Sequence, residues 1–395
     1  QNPRLPVALP VLSDLHPTTM TRSIAETAKH LYDSFMRWFS ASRLAEAGKD
    51  EFRLEQLIFG PPEGSLELRC VLEVNIQHLS HEVGVRRAAS LLWIRQQYRE
   101  DPSLFSPSLD PLFQALLGCL RDPELSVVTS AVALLTEVTS PRRVGEGGPD
   151  DVGGVPPIDT SLFNIFIETL LGALKEDKLR FKERAPAIFS ELCSGESAEK
   201  NLRAVSAILC HDVDLDFIAS VVRILNPLLI TSAGLARLRG RLWTLDSEES
   251  RGLFSVLLKT WCHHPVAGVT LCLLGRQYDH ACLLVSQVAD LLTSSDDDKA
   301  VTIMAELDLI IRLLETPAFE RLRLAAVSPG GPLHRTLCGL LMLTPQSEGF
   351  NMLQNRLRPR YPYAPGSDRT PALPQVDVSL HELQTHFREV HRLPR

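Results

Sequence analysis

The chain has 395 residues and a formal net charge of −7; 44% of its residues are hydrophobic, 23% charged and only 6% aromatic. That length holds two to four ordinary domains or one long array of repeats, and the balance is that of a folded soluble protein. Few aromatics and many leucines favour helices over an all-β fold, and the acidic balance argues against nucleic acid as a partner.

In chain order, residues 1–18 are proline-rich and read as an irregular N-terminal segment. Residues 19–140 read as helical repeats. Ile24, Ala28, Leu31, Phe35 and Trp38 recur at steps of three and four, which predicts an amphipathic helix. Gly60-Pro61-Pro62 breaks the pattern. Helices then follow closely from Leu66 to Ser140. In "DPLFQALLGCLRDPELSVVTSAVALLTEVTSP" (110–141) one helix carries Leu112, Leu116, Leu117 and Leu120. An Arg121-Asp122-Pro123 turn follows, then a second helix with Val128, Ala131, Leu134, Leu135 and Val138. Neither can bury its stripe alone, so each must stack on neighbours. Paired helices at a period of about forty residues are the mark of HEAT-like repeats.

"PRRVGEGGPDDVGGVPPID" reads as a flexible insertion over 141–159. Helix pairs resume over 160–357, interrupted by the acidic "TSSDDDK" (293–299). Residues 358–376 form a proline-rich linker, and 377–395 hold a terminal amphipathic helix with Leu380, Leu383, Phe387 and Val390 on one face. The fold class these patterns predict is all-α, a HEAT-like helical-repeat solenoid. No apolar run approaches the ~18 residues of a membrane-spanning helix, and no basic-then-apolar leader opens the chain. Gln1 in place of an initiating methionine reads as a fragment or a processed chain. The eight cysteines lack a framework spacing, so reduced thiols in a cytosolic protein are expected.

Motifs for chemistry fail one by one. "GEGGPDDVGG" lacks the Gly-Lys-Ser/Thr of a phosphate loop, no Gly-x-Ser-x-Gly or His-Glu-x-x-His occurs, and no cysteine has arginine six positions on. "TWCHHPVAGVTLCLLGRQYDHACLLV" (260–285) gathers Cys262, His263, His264, Cys272, His280 and Cys282. Ligands two apart on a helix point about 200° apart, so His280 and Cys282 cannot share one metal from a regular helix. Ala281, Leu284, Val285 and Val288 already define an apolar face there. The cysteines therefore read as small hydrophobes, and His264-Pro265 as a helix start. No catalytic residue, cofactor or metal is expected. "RLRGRLW" (237–243), "ERLRL" (320–324) and "NRLRPRY" (355–361, with Arg356) are locally basic. They read as solvated helix faces or as contacts to an acidic partner or anionic lipid.

The same 260–285 segment, with "LNPLLITSAGLARLRGRL" (225–242) and "LHRTLCGLLMLTPQSEGFNMLQNRL" (333–357), strongly resembles one family. It is the ArPIKfyve-type scaffold of the phosphatidylinositol 3-phosphate 5-kinase complex. The ordered match runs from about Arg86 to Leu357, with a weaker echo in the last helix. This chain departs from the family's usual asparagine at His264 and leucine at Thr344. Pro186 falls where a helix should run, so that helix is expected to begin later or kink. The family's long N-terminal solenoid is missing or much reduced.

The resemblance implies a non-enzymatic scaffold that self-associates and holds the lipid kinase together with a Sac-type 5-phosphatase. Phosphatidylinositol 3,5-bisphosphate is then made and turned over on endosome, lysosome or vacuole membranes. The chain would be cytoplasmic and peripheral there, touching membrane only through the complex. The rival reading is a generic HEAT-repeat adaptor. The expected protein-binding residues are Trp261, Met342, Phe350, Met352 and Arg356. Trp261 is expected to be mainly a core aromatic seating a helix pair. In 331–357, Leu337, Leu340 and Leu341 are expected to line an internal seam, with Met342, Phe350 and Met352 facing a second contact. Because only a proline-rich tail follows that repeat, another chain is expected to cover it.

Overall fold

The computed structural model describes residues 65–140, 160–324, 330–358, 376 and 378–393. The readings for the N-terminal segment, the Ile24–Trp38 helix, the 141–159 insertion and most of the proline-rich linker lie outside those residues. Among the described residues there are 17 α-helices and no strand. The fold is all-α and of the HEAT-like helical-repeat solenoid class, as the paired patterns predict. Two compact units divide it.

The first unit carries α1 (Ser65–His78), α2 (Gly84–Glu100), α3 (Leu109–Cys119) and α4 (Leu125–Val138), with a 3₁₀ segment at Pro102–Ser108. Leu112 and Leu116 of α3 and Val128, Ala131, Leu134, Leu135 and Val138 of α4 are all buried. α2 packs on both α1 and α4. The turn between α3 and α4 is tied to α2 through Arg87 and Asp122, whose Nη2 and Oδ1 lie 2.9 Å apart.

The second unit begins with α5 (Thr160–Glu176), α6 (Phe181–Leu192), α7 (Ala198–Leu209), α8 (Leu215–Thr231) and α9 (Ala236–Thr244). It continues with α10 (Glu248–Trp261), α11 (Pro265–Leu274), α12 (Tyr278–Ser294), α13 (Asp297–Leu313) and α14 (Glu320–Leu324). It closes with α15 (Pro332–Leu343), α16 (Glu348–Leu357) and α17 (Leu380–His391). Helices stack on the next but one as well as on the next. α6, α8, α11, α13 and α16 form one row; α5, α7 and α10 begin the other, and α12 and α15 pack together further along. That is what amphipathic pairs do when each must hide its stripe against both neighbours.

Local sequence sets the helix starts. Asp214 accepts from Phe217 N at 3.1 Å to cap α8, and Ser247 accepts from Ser250 N at 3.1 Å to cap α10. Pro265 occupies the first position of α11, where its missing N–H costs nothing. α6 corrects one of two expected alternatives, the later start, because it begins at Phe181, five residues before Pro186. The proline removes only the bond to the carbonyl of Lys182, an exposed residue in the first turn, which water can satisfy. α11 is apolar all round, and every residue from Val266 to Leu274 is buried. It packs on α8 and α10 before it and on α12 and α13 after it.

α17 does not extend the row. It folds back across α12 and reaches α10 through imidazole bonds. Ser379 and Glu382 close its N-terminus with a reciprocal capping box, and Leu383 and Phe387 are buried. No single described helix is long and apolar enough to cross a membrane.

Candidate protein-binding surface

α15 and α16 carry the surface residues expected from sequence. Ser347 caps α16, accepting from Phe350 N at 3.2 Å, and its hydroxyl also bonds Asp308 of α13. Leu353 of α16 turns inward and is buried. On α15, Leu337 and Leu340 are buried as the inner seam, while Leu341 is half-buried. Gly339 allows a close approach to α12, since a Cβ there would sit 2.7 Å from a methyl of Val285. Thr344 is buried, and its hydroxyl donates to Leu340 O at 2.6 Å. The hydroxyl thus satisfies a carbonyl of the last turn of α15.

With the seam fixed, Met342 is driven to the opposite side of α15 and is 86% exposed. Phe350 and Met352 are half-buried on α16. Arg356 is half-buried and ion-paired with Glu315, so its charge is already matched within the chain. A flexible thioether with most of its surface in water is an adaptable apolar contact.

Trp261 is placed elsewhere. It is 0% exposed, at the end of α10, and its indole N–H donates to Asn226 Oδ1 of α8 at 3.3 Å. No part of the side chain is open to a partner, so the structure puts Trp261 in the core and takes it off the list of contact residues.

The Cys/His stretch disperses in space. Cys262 and Cys272 are fully buried, and burial raises both thiols well above their usual range. A protonated thiol is neither nucleophile nor ligand. His263 Nδ1 lies 3.1 Å from both Lys259 O and Thr260 O. His264 faces Glu306 of α13, with Nε2 2.9 Å from Oε2, and Arg223 reaches the other oxygen at 2.7 Å. His280 has a different partner, its Nε2 lying 2.7 Å from Val378 O, just ahead of α17. Among the described residues no three His, Cys, Asp or Glu side chains come together as a metal site.

Sequence reasoning missed the seat of α17. His386 Nε2 is 2.9 Å from Lys259 O, His391 Nε2 is 2.9 Å from Cys262 O, and Arg388 Nε donates to Gln287 Oε1 at 2.7 Å. Beside them lies a shallow cavity of about 400 Å³ between α10 and α17, lined in part by Leu258, Lys259, Leu383 and His386. Leu383 and Phe387 signalled a buried face, but nothing local named its partner.

Residues 178–359 match the family described as "Vacuolar protein 14 C-terminal Fig4p binding". α17 lies outside that match. The chain is 32% identical over 329 residues to the Protein VAC14 homolog of Arabidopsis thaliana, covering 82% of this chain and 41% of the relative. It is 30% identical over 296 residues to the Protein VAC14 homolog of Schizosaccharomyces pombe, covering 74% of this chain and 34% of the relative. It is 29% identical over 273 residues to vacuole morphology and inheritance protein 14 of Saccharomyces cerevisiae, covering 69% and 28%. The chain thus spans less than half the length of these relatives.

Proposed function

The chain is a VAC14-type protein, and from that premise we propose that it is a non-enzymatic scaffold that binds a Sac-type phosphoinositide 5-phosphatase, the counterpart of Fig4p. The observation that carries the reading is the match of residues 178–359 to a Fig4p-binding family. The stacked helices of the second unit support it, because they offer long helix faces and ridges to other proteins. In the same reading the scaffold self-associates and also holds a phosphatidylinositol 3-phosphate 5-kinase. The complex would act on phosphatidylinositol 3,5-bisphosphate at the cytoplasmic face of endosome, lysosome or vacuole membranes.

Within this reading Met342, Phe350 and Met352 belong to the contact surface of α15 and α16, and Met342 is its most accessible member. Co-purification of the chain with a Sac-type 5-phosphatase, followed by mass measurement of the complex, tests the function. Failure to capture the phosphatase refutes it. The surface is tested by Met342→Asp. Because the side chain is exposed, stability should stay within about 0.5 kcal/mol of the parent. Phosphatase affinity or self-association should drop about tenfold or more, the scale of a contact worth ~1.4 kcal/mol. Unchanged phosphatase binding and unchanged particle mass by sedimentation would put the surface elsewhere.

A further inference from the structure

α17 is seated by a seam of imidazoles. His386 and His391 donate from Nε2 to Lys259 O and Cys262 O, at the carbonyl end of α10. His280 of α12 donates to Val378 O and fixes the entry to α17. His263 meets the His386 ring edge-on at 5.5 Å between centroids, and Phe387 packs on His391 at a tilt, 4.3 Å between centroids. Only two side chains of α17, Leu383 and Phe387, are fully buried. Much of what holds this helix is therefore polar and titratable.

We propose that α17 is a histidine-latched strap, closed across α10 and α12 at neutral pH and released in mildly acidic solution. Each donor nitrogen can keep its bond when the ring is protonated, so release comes from charge placed in the seam. The charged neighbours do not absorb it. Lys299 of α13 adds positive charge facing His391, and Lys259 adds its own at the end of α10. Three carboxylates of the surrounding helices are already engaged. Asp290 meets Arg388, Glu306 meets Arg223 and His264, and Glu382 closes the cap at Ser379. Among the described residues no carboxylate pairs with His263, His386 or His391.

The direction of the effect follows from burial. Desolvation pulls His391 from 6.5 down to about 4, and it lowers His263 as well, with His386 adding repulsion. A group whose seated pKa is depressed favours the closed strap above its free pKa. That advantage is lost as pH falls from about 6.5 towards 4. From His391 alone, the opening equilibrium rises ~tenfold between pH 7.5 and 5.5.

Hydrogen exchange on the whole chain tests this, with rates corrected for the intrinsic effect of pH. Amides of residues 383–391 should lose about tenfold protection relative to those of α12 between pH 7.5 and 5.5. His391→Gln keeps an N–H donor for Cys262 O but cannot be charged, so most of that change should vanish. Equal protection of α17 at both pH values overturns the proposal, and so does an undiminished tenfold loss in His391→Gln. If the variant already loosens α17 at pH 7.5, NMR titration of His391 in the parent chain decides. A His391 that titrates near 6.5 while α17 stays protected overturns the proposal; titration well below that, in step with loss of protection, supports it.

Discussion

Asp122→Ala should destabilise the first unit by about 3–5 kcal/mol. Arg87 is 8% exposed in the body of that unit. Its Nη1 donates to His81 O at 2.7 Å and to Glu82 O at 2.9 Å, while Nη2 donates to Asp122 Oδ1 at 2.9 Å. Nε lies 2.6 Å from Oδ2, a close ionic contact. Asp122 Oδ1 also accepts from Glu124 N at 2.8 Å, ahead of α4. One carboxylate therefore balances a buried charge and fixes the entry to a helix. Truncation leaves the guanidinium buried with only the weaker pull of Glu124 as counter-charge, which costs more than the pair itself contributes. Asp122→Asn, which keeps an acceptor oxygen, should lose less. Urea denaturation followed by circular dichroism measures both, and a loss under ~1 kcal/mol for the alanine variant would mean water can replace the carboxylate.

Trp261→Ala should cost the second unit a similar ~3–5 kcal/mol, by leaving a cavity the size of an indole. Trp261 is among the largest fully buried side chains in the chain. Asn226, itself 4% exposed, would also lose the donor at its Oδ1. A stability of about 5–15 kcal/mol makes either loss a large share of the total. Trp261→Phe refills most of the volume but not the hydrogen bond, so it should cost less, on the order of 1–3 kcal/mol. The check is the unfolding midpoint of each variant beside its phosphatase affinity. An alanine variant with an unchanged midpoint and lost binding would contradict the buried placement.

Much of the helical architecture was legible because amphipathic periods are local. The stripe Val128, Ala131, Leu134, Leu135, Val138 and the stripe Ala281, Leu284, Val285, Val288 are each buried as a set. The exposure of Met342 was legible in the same way, since Leu337 and Leu340 set which side of α15 faces inward. What periodicity cannot give is the partner of a stripe. Leu383 and Phe387 declared a buried face for α17, yet its seat on α10 lies more than 120 residues earlier in the chain. Sequence crowded Cys262, His263, His264 and His280 together but could not show that His263 turns to carbonyls at the end of α10, His264 to Glu306 and His280 to Val378 O. Arg356 looked available for the same reason, and Glu315, 41 residues away, is its partner.

The apolar girth of α11 bears on how the chain is made. Val266–Leu274 leave the ribosome with α8 and α10 already outside, but ahead of α12 and α13. Half of an all-round greasy helix must then wait uncovered for about forty more residues, some seconds at ordinary rates of translation. During that interval docking on α8 and α10 covers one side of the helix, and the other is open to a chaperone or to a second nascent chain.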